Sequence, residues 1–207
     1  MLFFYNIITM FNIKKFNEIN DFLKKTNNSA KIVAISKNHP LKSVLEAIDA
    51  GVKIFGENRV QEAKEKFQKL KQGNKTIELH LTGPLQSNKV KDAIKLFDVF
   101  HTLDREKIAL EFSKHKELLQ NKKFFLQVNT GKETTKNGIF PEHTKDFLFF
   151  LTQEMKLPII GLMCIPPLDE DPVYHFNQLK LLAKKNKIEE LSIGMSNDYT
   201  KALQFNP

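Results

Sequence analysis

The residue of this sequence best suited to chemistry is a lysine that ends a short apolar run. The run Ile32–Ser36 is rich in β-branched residues, which is typical of a buried strand, and Lys37 follows it directly. A lysine at the mouth of a fold is expected to be partly desolvated, and desolvation disfavours the charged form of an amine and makes it nucleophilic. Such an amine can bond covalently to a ligand that carries an aldehyde. The competing interpretation is that Lys37 only marks where a strand meets water, because lysines are mostly exposed.

Two further polar residues follow β-rich runs in the same way. Asn58 comes just after the run Val52–Gly56, and Ser196 comes directly after the run Leu191–Met195. An amide and a hydroxyl supply hydrogen-bond donors, and a serine at the start of a helix lies beside free backbone N–H groups that bind anions. Each residue could instead cap the helix that follows it. Capping and anion binding use the same geometry, so both alternatives stay open.

The elements that must position these residues alternate regularly along the chain. Seven β-rich runs are present: Ile32–Ser36, Val52–Gly56, Ile77–Thr82, Phe97–Thr102, Phe124–Asn129, Ile159–Cys164 and Leu191–Met195. Between them apolar residues recur at helical spacing, for example Val60, Ala63, Phe67 and Leu70. Gly51 and Gly73 are placed to end helices, and Asp104 is predicted to be an N-cap. Strands that alternate with helices indicate βαβ units and a parallel sheet.

Two architectures have such a sheet, the open doubly wound fold and the (β/α)8 barrel. No G-x-G-x-x-G motif follows the first run, which disfavours an open sheet that binds a dinucleotide. Polar residues follow nearly every run, and a barrel collects all strand ends at one face. We therefore predict one α/β domain over residues 1–207, a (β/α)8 TIM-type barrel. Only seven runs are present, so we expect the eighth strand to be missing, the chain to be truncated at its C-terminus, and the first and last strands to be open edges.

The composition argues against several classes of protein. The formal net charge of +8 comes mostly from lysines scattered over helical stretches, so we predict no nucleic-acid surface but a protein suited to anionic ligands such as phosphates. The single cysteine, Cys164, rules out an internal disulfide framework and favours a reducing, cytoplasmic setting. Cysteines and histidines show no spacing typical of a zinc site, so no metal is expected.

The first residues of the chain form an apolar segment without charge, Met1–Phe11. This segment is too short to span a bilayer and has neither a basic region nor a small-residue cleavage site, so no membrane association is expected. It either extends the first helix or precedes a start of translation at Met10. We favour the second alternative, because Asn12–Phe16 already begins an amphipathic helix.

Seven short motifs occur in order at the ends of the predicted strands. They are Ala34–Lys37, Gly56–Glu62, His80–Lys89, His101–Arg105, Lys136–Gly138, Gly161–Met163 and Gly194–Asp198. Together they resemble the pyridoxal phosphate homeostasis proteins, single-domain relatives of the alanine racemase barrel. The resemblance extends from about Lys31 to Leu203, which is nearly the whole chain.

The resemblance implies a barrel that binds pyridoxal 5′-phosphate (PLP) as an aldimine on the lysine that ends strand one, Lys37. It also implies that Asn58 lies beside the cofactor. The phosphate is expected at Ser196, with Met195 and Asn197 on either side, where barrels commonly bind phosphate. In the family an eighth strand brings an arginine to the pyridine nitrogen and a Gly-Thr pair to the phosphate, and this chain ends before such a strand.

Three functions remain as alternatives. The first is a cytoplasmic, monomeric, non-enzymatic protein that buffers or delivers PLP, with PLP-dependent apoenzymes as candidate partners. The second is an amino-acid racemase, which needs a second base; the only tyrosines are Tyr5, Tyr174 and Tyr199. The third is a truncated remnant with impaired binding of PLP. Among the other motif residues, His80 is expected to be a hydrogen-bonded core histidine, Glu57 to pair with a neighbouring lysine, and Lys136 to be exposed.

Overall fold

A computed structural model describes residues 11–73 and 76–207, and its one sheet has seven strands. The strands are β1 (Ala34–Ile35), β2 (Ile54–Glu57), β3 (Glu78–Leu81), β4 (Val99–Leu103), β5 (Lys123–Gln127), β6 (Ile159–Met163) and β7 (Glu190–Ser192). They lie in chain order, and every neighbouring pair is parallel. Each predicted run overlaps one strand, so the predicted parallel sheet is confirmed, although the strand ends differ by a few residues.

The helices follow the strands as the alternation predicts. They are α1 (Ile13–Lys25), α2 (Leu41–Asp49), α3 (Val60–Gly73), α4 (Val90–Leu96), α5 (Glu106–Ser113), α6 (Thr144–Phe149), α7 (Pro172–Lys185) and α8 (Tyr199–Ala202). Asn12 caps α1, since its side chain accepts a hydrogen bond from Lys15 N–H at 2.9 Å. The alternatives for Met1–Phe11 fall almost entirely outside the described residues.

The predicted cap of α5 is wrong. Arg105 occupies the N-cap position, without a capping hydrogen bond from its side chain. The Asp104 carboxylate accepts a hydrogen bond from Arg105 Nη1 at 2.5 Å instead, and Arg105 also donates to the carbonyl oxygen of Leu85. The Asp104 carboxylate is therefore bound to the guanidinium of the next residue and does not cap the helix.

Phenylalanine side chains fill the layer between the sheet and the helices. Phe100 of β4 stacks on Phe124 of β5 with ring centroids 5.0 Å apart, and the edge of Phe112 from α5 meets both rings. On α3, Ala63 and Phe67 are fully buried, so the face predicted from helical spacing is confirmed. Aromatic pairs of this kind stabilise a fold by roughly 0.5–1.5 kcal/mol each beyond the apolar area they bury.

Side chains on the other face of the sheet show that it is curled. His101 Nδ1 of β4 lies 2.7 Å from Ser192 Oγ of β7. In a flat sheet these strands would be about 14 Å apart, since neighbours are spaced by about 4.8 Å. The segments before β1 and after β7 also meet. The Asn28 side chain donates to the carbonyl oxygen of Leu203 at 2.9 Å. The predicted barrel is thus confirmed with seven strands, and within the described residues β1 and β7 border its opening, each paired on one side only.

A chain of hydrogen bonds fills the interior of the barrel. His101 Nε2 lies 2.8 Å from His80 Nδ1, and His80 Nε2 lies 2.8 Å from a Glu78 carboxylate oxygen. The hydrogen bond from His80 lowers the pKa of Glu78, so its carboxylate accepts. These contacts and the one between His101 and Ser192 link the three strands in one chain of hydrogen bonds. His80 is therefore a hydrogen-bonded core histidine, as predicted, and all these interior polar groups are satisfied.

We expect His101 to make the stability of the fold depend on pH. Burial lowers the pKa of His101 to about 3, whereas an unfolded histidine titrates near 6.5. Below about pH 6.5 only the unfolded chain takes up this proton, so stability falls as the pH is lowered toward 3, by up to about 1.4 kcal/mol per pH unit. The free energy of urea-induced unfolding should therefore be about 2 kcal/mol lower at pH 5 than at pH 7.5 from this group alone. In His101→Asn this part of the pH dependence should disappear; an equal difference in both proteins would contradict the expectation.

Candidate functional site

Lys37 follows a row of side chains on the inner face of the barrel. A Cβ atom added at Gly56 of β2 would lie 2.4 Å from Ile35 Cδ1 and 3.1 Å from Val33 Cγ1, so both side chains pack over this glycine. Lys37 lies in the turn that begins just after β1. It therefore stands at the carboxyl end of β1, where the mouth of the barrel is.

The structure differs from the expectation that Lys37 is partly desolvated. Its side chain is exposed, and Ile35 of β1 is also 44% exposed. The reason is the opening between β1 and β7, which leaves the inner side of β1 uncovered among the described residues. The amine is therefore accessible, and a ligand that entered the mouth would cover it together with apolar surface.

A buried lysine of α3 holds the residue before Lys37. Lys66 Nζ donates to the Ser36 carbonyl oxygen at 2.6 Å and to Glu57 Oε1 at 2.8 Å, and Ser36 Oγ donates to the same carboxylate oxygen at 2.7 Å. Burial raises the pKa of Glu57, although the hydrogen bonds from Lys66 and Ser36 act against it. The predicted pairing of Glu57 with a lysine is confirmed, but the pair is part of a buried cluster.

A carboxylate of α3 holds the residue after Lys37. Glu62 Oε1 accepts from the Asn38 N–H at 2.5 Å and from Lys66 Nζ at 2.7 Å. Partial burial disfavours its charge, but these two hydrogen bonds outweigh burial and lower the pKa of Glu62. Asn38 has a left-handed backbone with φ of 62°, a conformation that asparagine tolerates better than most residues. Both neighbours of Lys37 are thus tied to the same helix.

Asn58 presents its amide donors at the end of β2. Thr82 Oγ1 donates to Asn58 Oδ1 at 2.9 Å, which fixes the amide so that its oxygen is engaged and Nδ2 has no partner within the described part of the chain. The oxygen does not accept from the first amides of α3, so the capping alternative for Asn58 is wrong. Gly83 packs directly against this residue: an added Cβ would lie 2.4 Å from the Asn58 carbonyl oxygen.

The loop after β7 leaves a hydroxyl and an amide without partners. Gly194 turns the chain with φ of 93°, and the Met195 N–H donates to Asp198 Oδ1 at 2.5 Å. Ser196 and Asn197 are exposed and make no hydrogen bond to the residues that the structure describes. Asp198 is the N-cap residue of α8, so Ser196 does not cap it. The backbone N–H of Met195 is engaged, and Ser196 and Asn197 supply the free donors.

The three predicted positions occupy the same face of the barrel. Lys37, Asn58 and Ser196 each follow the carboxyl end of a parallel strand, and those ends share one mouth. Lys37 and Ser196 lie on the two sides of the opening, and Asn58 follows the strand next to β1. An accessible amine, an amide with free N–H donors and a free hydroxyl fit a ligand that carries an aldehyde and an anionic group.

Other kinds of site are not found in the part of the chain that the structure covers. No group of three or more histidine, cysteine or acidic side chains there could hold a metal ion. Among the described residues, no helix combines the length and apolar character that crossing a membrane requires. A groove of about 730 Å³ lies outside the barrel, between the start of α5 and α6, and none of the predicted site residues lines it.

The sequence prediction missed the buried charges behind Lys37. One signal was present, because Lys66 falls at helical spacing between the apolar residues Ala63 and Phe67 and one turn after Glu62. A lysine on the apolar face of a helix is expected to be buried only if it is paired. Thr82 and Gly83, which orient Asn58, carried no comparable signal.

We expect Gly83→Ala to disturb the support of Asn58. The added Cβ would lie 2.4 and 2.6 Å from backbone atoms of Asn58, which cannot move independently of β2. The free energy of unfolding should fall by about 1–3 kcal/mol, as for other overpacked positions. Gly73→Ala at the end of α3 is the matched control, because its Cβ would meet nothing within 4 Å. Urea unfolding followed by circular dichroism compares the two, and equal effects would contradict the packing seen at Gly83.

Comparison with known proteins agrees with this fold. The family model described as alanine racemase, N-terminal domain, matches residues 14–206. A pyridoxal phosphate homeostasis protein of Vibrio cholerae is 36% identical over 193 residues, which are 87% of this chain and 81% of that protein. The structure of PipY from Synechococcus elongatus without PLP has a TM-score of 0.82 and 31% identity, over 94% of each chain.

A second PipY structure, described as having PLP bound, matches with a TM-score of 0.80 over 93% of each chain. An alanine racemase of Clostridium difficile has the same fold, with a TM-score of 0.73; at 17% identity it shows the fold alone, and the match covers 52% of that chain. The extent of the family match and the identity to the Vibrio protein together decide the assignment. This chain belongs to the pyridoxal phosphate homeostasis proteins, within the alanine racemase N-terminal domain family.

Proposed function

We propose that this protein binds PLP through Lys37 and takes part in its homeostasis, as a store or donor of the cofactor and not as an enzyme. The observation that carries the proposal is the accessible Lys37 amine at a mouth that also presents free donors of Asn58 and Ser196. The PLP-bound form of PipY supports it, because that relative has the same fold at 31% identity. PLP supplies an aldehyde that reacts with primary amines and a phosphate that hydrogen-bond donors can hold.

Lys37 would hold the aldehyde end of the cofactor. PLP would supply an aldehyde carbon that bonds to the Lys37 amine, with the aldehyde oxygen released as water. Asn58 would then donate from Nδ2 to an acceptor oxygen of the ligand, since Oδ1 is already engaged by Thr82. These two residues follow neighbouring strands, so they can contact the same end of a small ligand.

The loop after β7 would hold the phosphate. Ser196 contributes its hydroxyl, Asn197 contributes N–H donors, and Met195 borders the site with a side chain that is 54% exposed. The formal net charge of +8 also favours an anionic ligand. The short helix α8 has four residues, so the proposal assigns the binding to these loop groups and not to a helix dipole.

The racemase alternative would need a second base, and both tyrosines in the described part of the chain contact other helical residues. The ring of Tyr199 lies 5.6 Å from Lys15 Nζ of α1, and the exposed Tyr174 packs its ring against His175 of α7. Racemisation requires a base on each side of the substrate. Binding without turnover needs only the amine and the donors already named.

Delivery to an apoenzyme follows from the accessibility of Lys37. The bound cofactor would be able to exchange Lys37 for an incoming amine, which would free the Lys37 amine again without any other reactant. A PLP-dependent apoenzyme is therefore the proposed recipient. We also propose that the protein is a monomer and that it is cytoplasmic, since a single cysteine suits a reducing compartment. Burial raises the pKa of the Cys164 thiol to about 12, so this cysteine is inert.

Borohydride reduction tests the role of Lys37. After incubation with PLP, reduction and peptide mapping should find one cofactor adduct, on Lys37, because reduction makes the C=N bond permanent. Lys37→Ala should show neither the adduct nor the absorbance change of the bound cofactor. Lys64→Ala removes an exposed lysine of α3 and should behave like the natural protein.

Two results would contradict the proposal. An adduct on another lysine, or an unchanged spectrum in Lys37→Ala, would end the assignment of Lys37. Sustained turnover of D- or L-alanine above the level of Lys37→Ala would replace homeostasis with racemisation as the function.

A comparison of two ligands tests the phosphate site. Ser196→Ala should weaken the binding of PLP by about 10- to 100-fold, which corresponds to the roughly 1.5–3 kcal/mol of a hydrogen bond to a charged group. Binding of pyridoxal, which has no phosphate, should not change. Ser113→Ala is a control on α5, where the hydroxyl donates to the Leu110 carbonyl oxygen. An equal loss of affinity for both ligands would place the phosphate elsewhere.

A further inference from the structure

The backbone around Lys37 is held by a helix where the sheet no longer holds it. The last ladder hydrogen bond of β1 runs from the Ser36 N–H to a carbonyl oxygen of β2 at 2.9 Å. Beyond it, the Ser36 carbonyl oxygen accepts from the His39 N–H at 3.1 Å, which closes a turn across Lys37, and from Lys66 Nζ at 2.6 Å. The Asn38 N–H donates to Glu62 at 2.5 Å. Both peptide groups that flank Lys37 are therefore bound by charged side chains of α3.

We propose that Lys66 and Glu62 are positioning residues for Lys37. By fixing the peptide groups before and after it, they set the direction in which its side chain leaves the backbone and so direct its amine into the mouth. This inference rests on the proposed function, because it concerns the amine that binds PLP. Neither residue contacts the ligand in this proposal.

The composition of the cluster favours a positioning role over simple packing. Lys66 is 8% exposed, Glu57 is fully buried, and Glu57 Oε2 has no hydrogen-bond partner among the residues that the structure describes. Burying charged groups is costly, and apolar side chains of similar volume often pack as well or better. What apolar side chains cannot do is hold the Ser36 carbonyl and the Asn38 amide in fixed directions.

The helix that carries these charges is firmly anchored. Ala63 and Phe67, which lie beside Glu62 and Lys66 in the sequence of α3, are fully buried in the core. Glu62 and Lys66 are one turn apart and bond to each other at 2.7 Å, so they act as one unit. The segment around Lys37 thereby gains the rigidity of the core, although β1 itself has only two residues.

A double variant separates positioning from stability. Glu57→Gln with Lys66→Met removes the Lys66 hydrogen bond to the Ser36 carbonyl, keeps the turn hydrogen bond from His39, and does not leave Glu57 as an unpaired buried charge. Its binding of PLP should be weaker by at least about 10-fold, because misplacing a reacting group by about 1 Å can cost about 100-fold. The formation of the C=N bond, followed by absorbance, should slow by a similar factor.

A ligand without the aldehyde distinguishes positioning from general damage to the site. Pyridoxine 5′-phosphate has an alcohol where PLP has its aldehyde, so its binding does not depend on the direction of the Lys37 amine. Its dissociation constant should be the same in the natural protein and in the double variant. Equal weakening of both ligands, or no weakening of PLP, would overturn the proposal.

Glu62→Gln keeps the inference testable if the double variant does not fold. The side chain of Glu62 is 22% exposed, so replacing it by glutamine leaves no deeply buried charge without a partner. The only cost is a weaker contact with Lys66. We expect about a 3- to 10-fold loss of affinity for PLP alone, less than for the double variant because the amide can still accept from Asn38. An affinity for PLP equal to that of the natural protein would overturn the proposal. Glu65→Gln, on the exposed side of α3, is the matched control.

Borohydride trapping in the natural protein distinguishes a failure of the proposed function from a failure of the positioning role. If borohydride traps no PLP on its Lys37, the proposed function fails, whatever the variants do. If Lys37 is trapped and both the double variant and Glu62→Gln bind PLP as tightly as the natural protein does, only the positioning role fails.

Discussion

Inside the barrel, the Ser192 hydroxyl of β7 meets the imidazole of His101 on β4, and this contact requires the sheet to curl through a wide angle. Curling is what gives the strand ends a common mouth, since parallel strands all point their carboxyl ends the same way. Without it, Lys37 after β1 and Ser196 after β7 would lie at opposite edges of a flat sheet. The site therefore depends on a polar layer in the interior that no candidate site residue contributes to.

The curled sheet leaves its first strand poorly supported, and α3 compensates for this. β1 has two residues and one neighbour among the described strands, so few backbone hydrogen bonds fix the segment that carries Lys37. Lys66 and Glu62 provide the missing hydrogen bonds from the other side of the sheet. Burying these charged side chains costs free energy, and their hydrogen bonds fix the directions of the two peptide groups beside Lys37.

The opening between β1 and β7 governs the chemistry at the mouth. It exposes Lys37 together with Ile35, which suits a protein that must both take up an amine-reactive cofactor and release it to another amine. An enclosed lysine would retain its ligand more securely but would be harder for an incoming amine to reach. The sequence suggested that desolvation makes the Lys37 amine reactive. In the proposed function, the accessibility of this amine takes that role.

Much of the fold followed from the sequence because its signals are local. Alternating β-rich and helical patterns predicted the seven strands and their parallel order, and residues at strand ends predicted Lys37, Asn58 and Ser196 as neighbours at one mouth. The cap at Asp104 was wrong because Arg105 competes for the same carboxylate. The exposure of Lys37 was also missed, since it depends on what lies beside β1 in space.

By itself the sequence determined which residues stand at the strand ends and which chemistry their side chains offer, because strand periodicity and residue type are properties of short segments. The tertiary structure decided which of these groups are free to act. Thr82 engages the oxygen of Asn58 and Asp198 engages the Met195 amide, whereas the Asn58 N–H donors and the Ser196 hydroxyl have no partner within residues 11–73 and 76–207. It also brought Lys66 and Glu62 behind Lys37 from about 25 to 30 residues away in the chain. Hydrogen bonds between distant segments form only after the sheet has curled and α3 has packed on it, and no local pattern in the sequence specifies them.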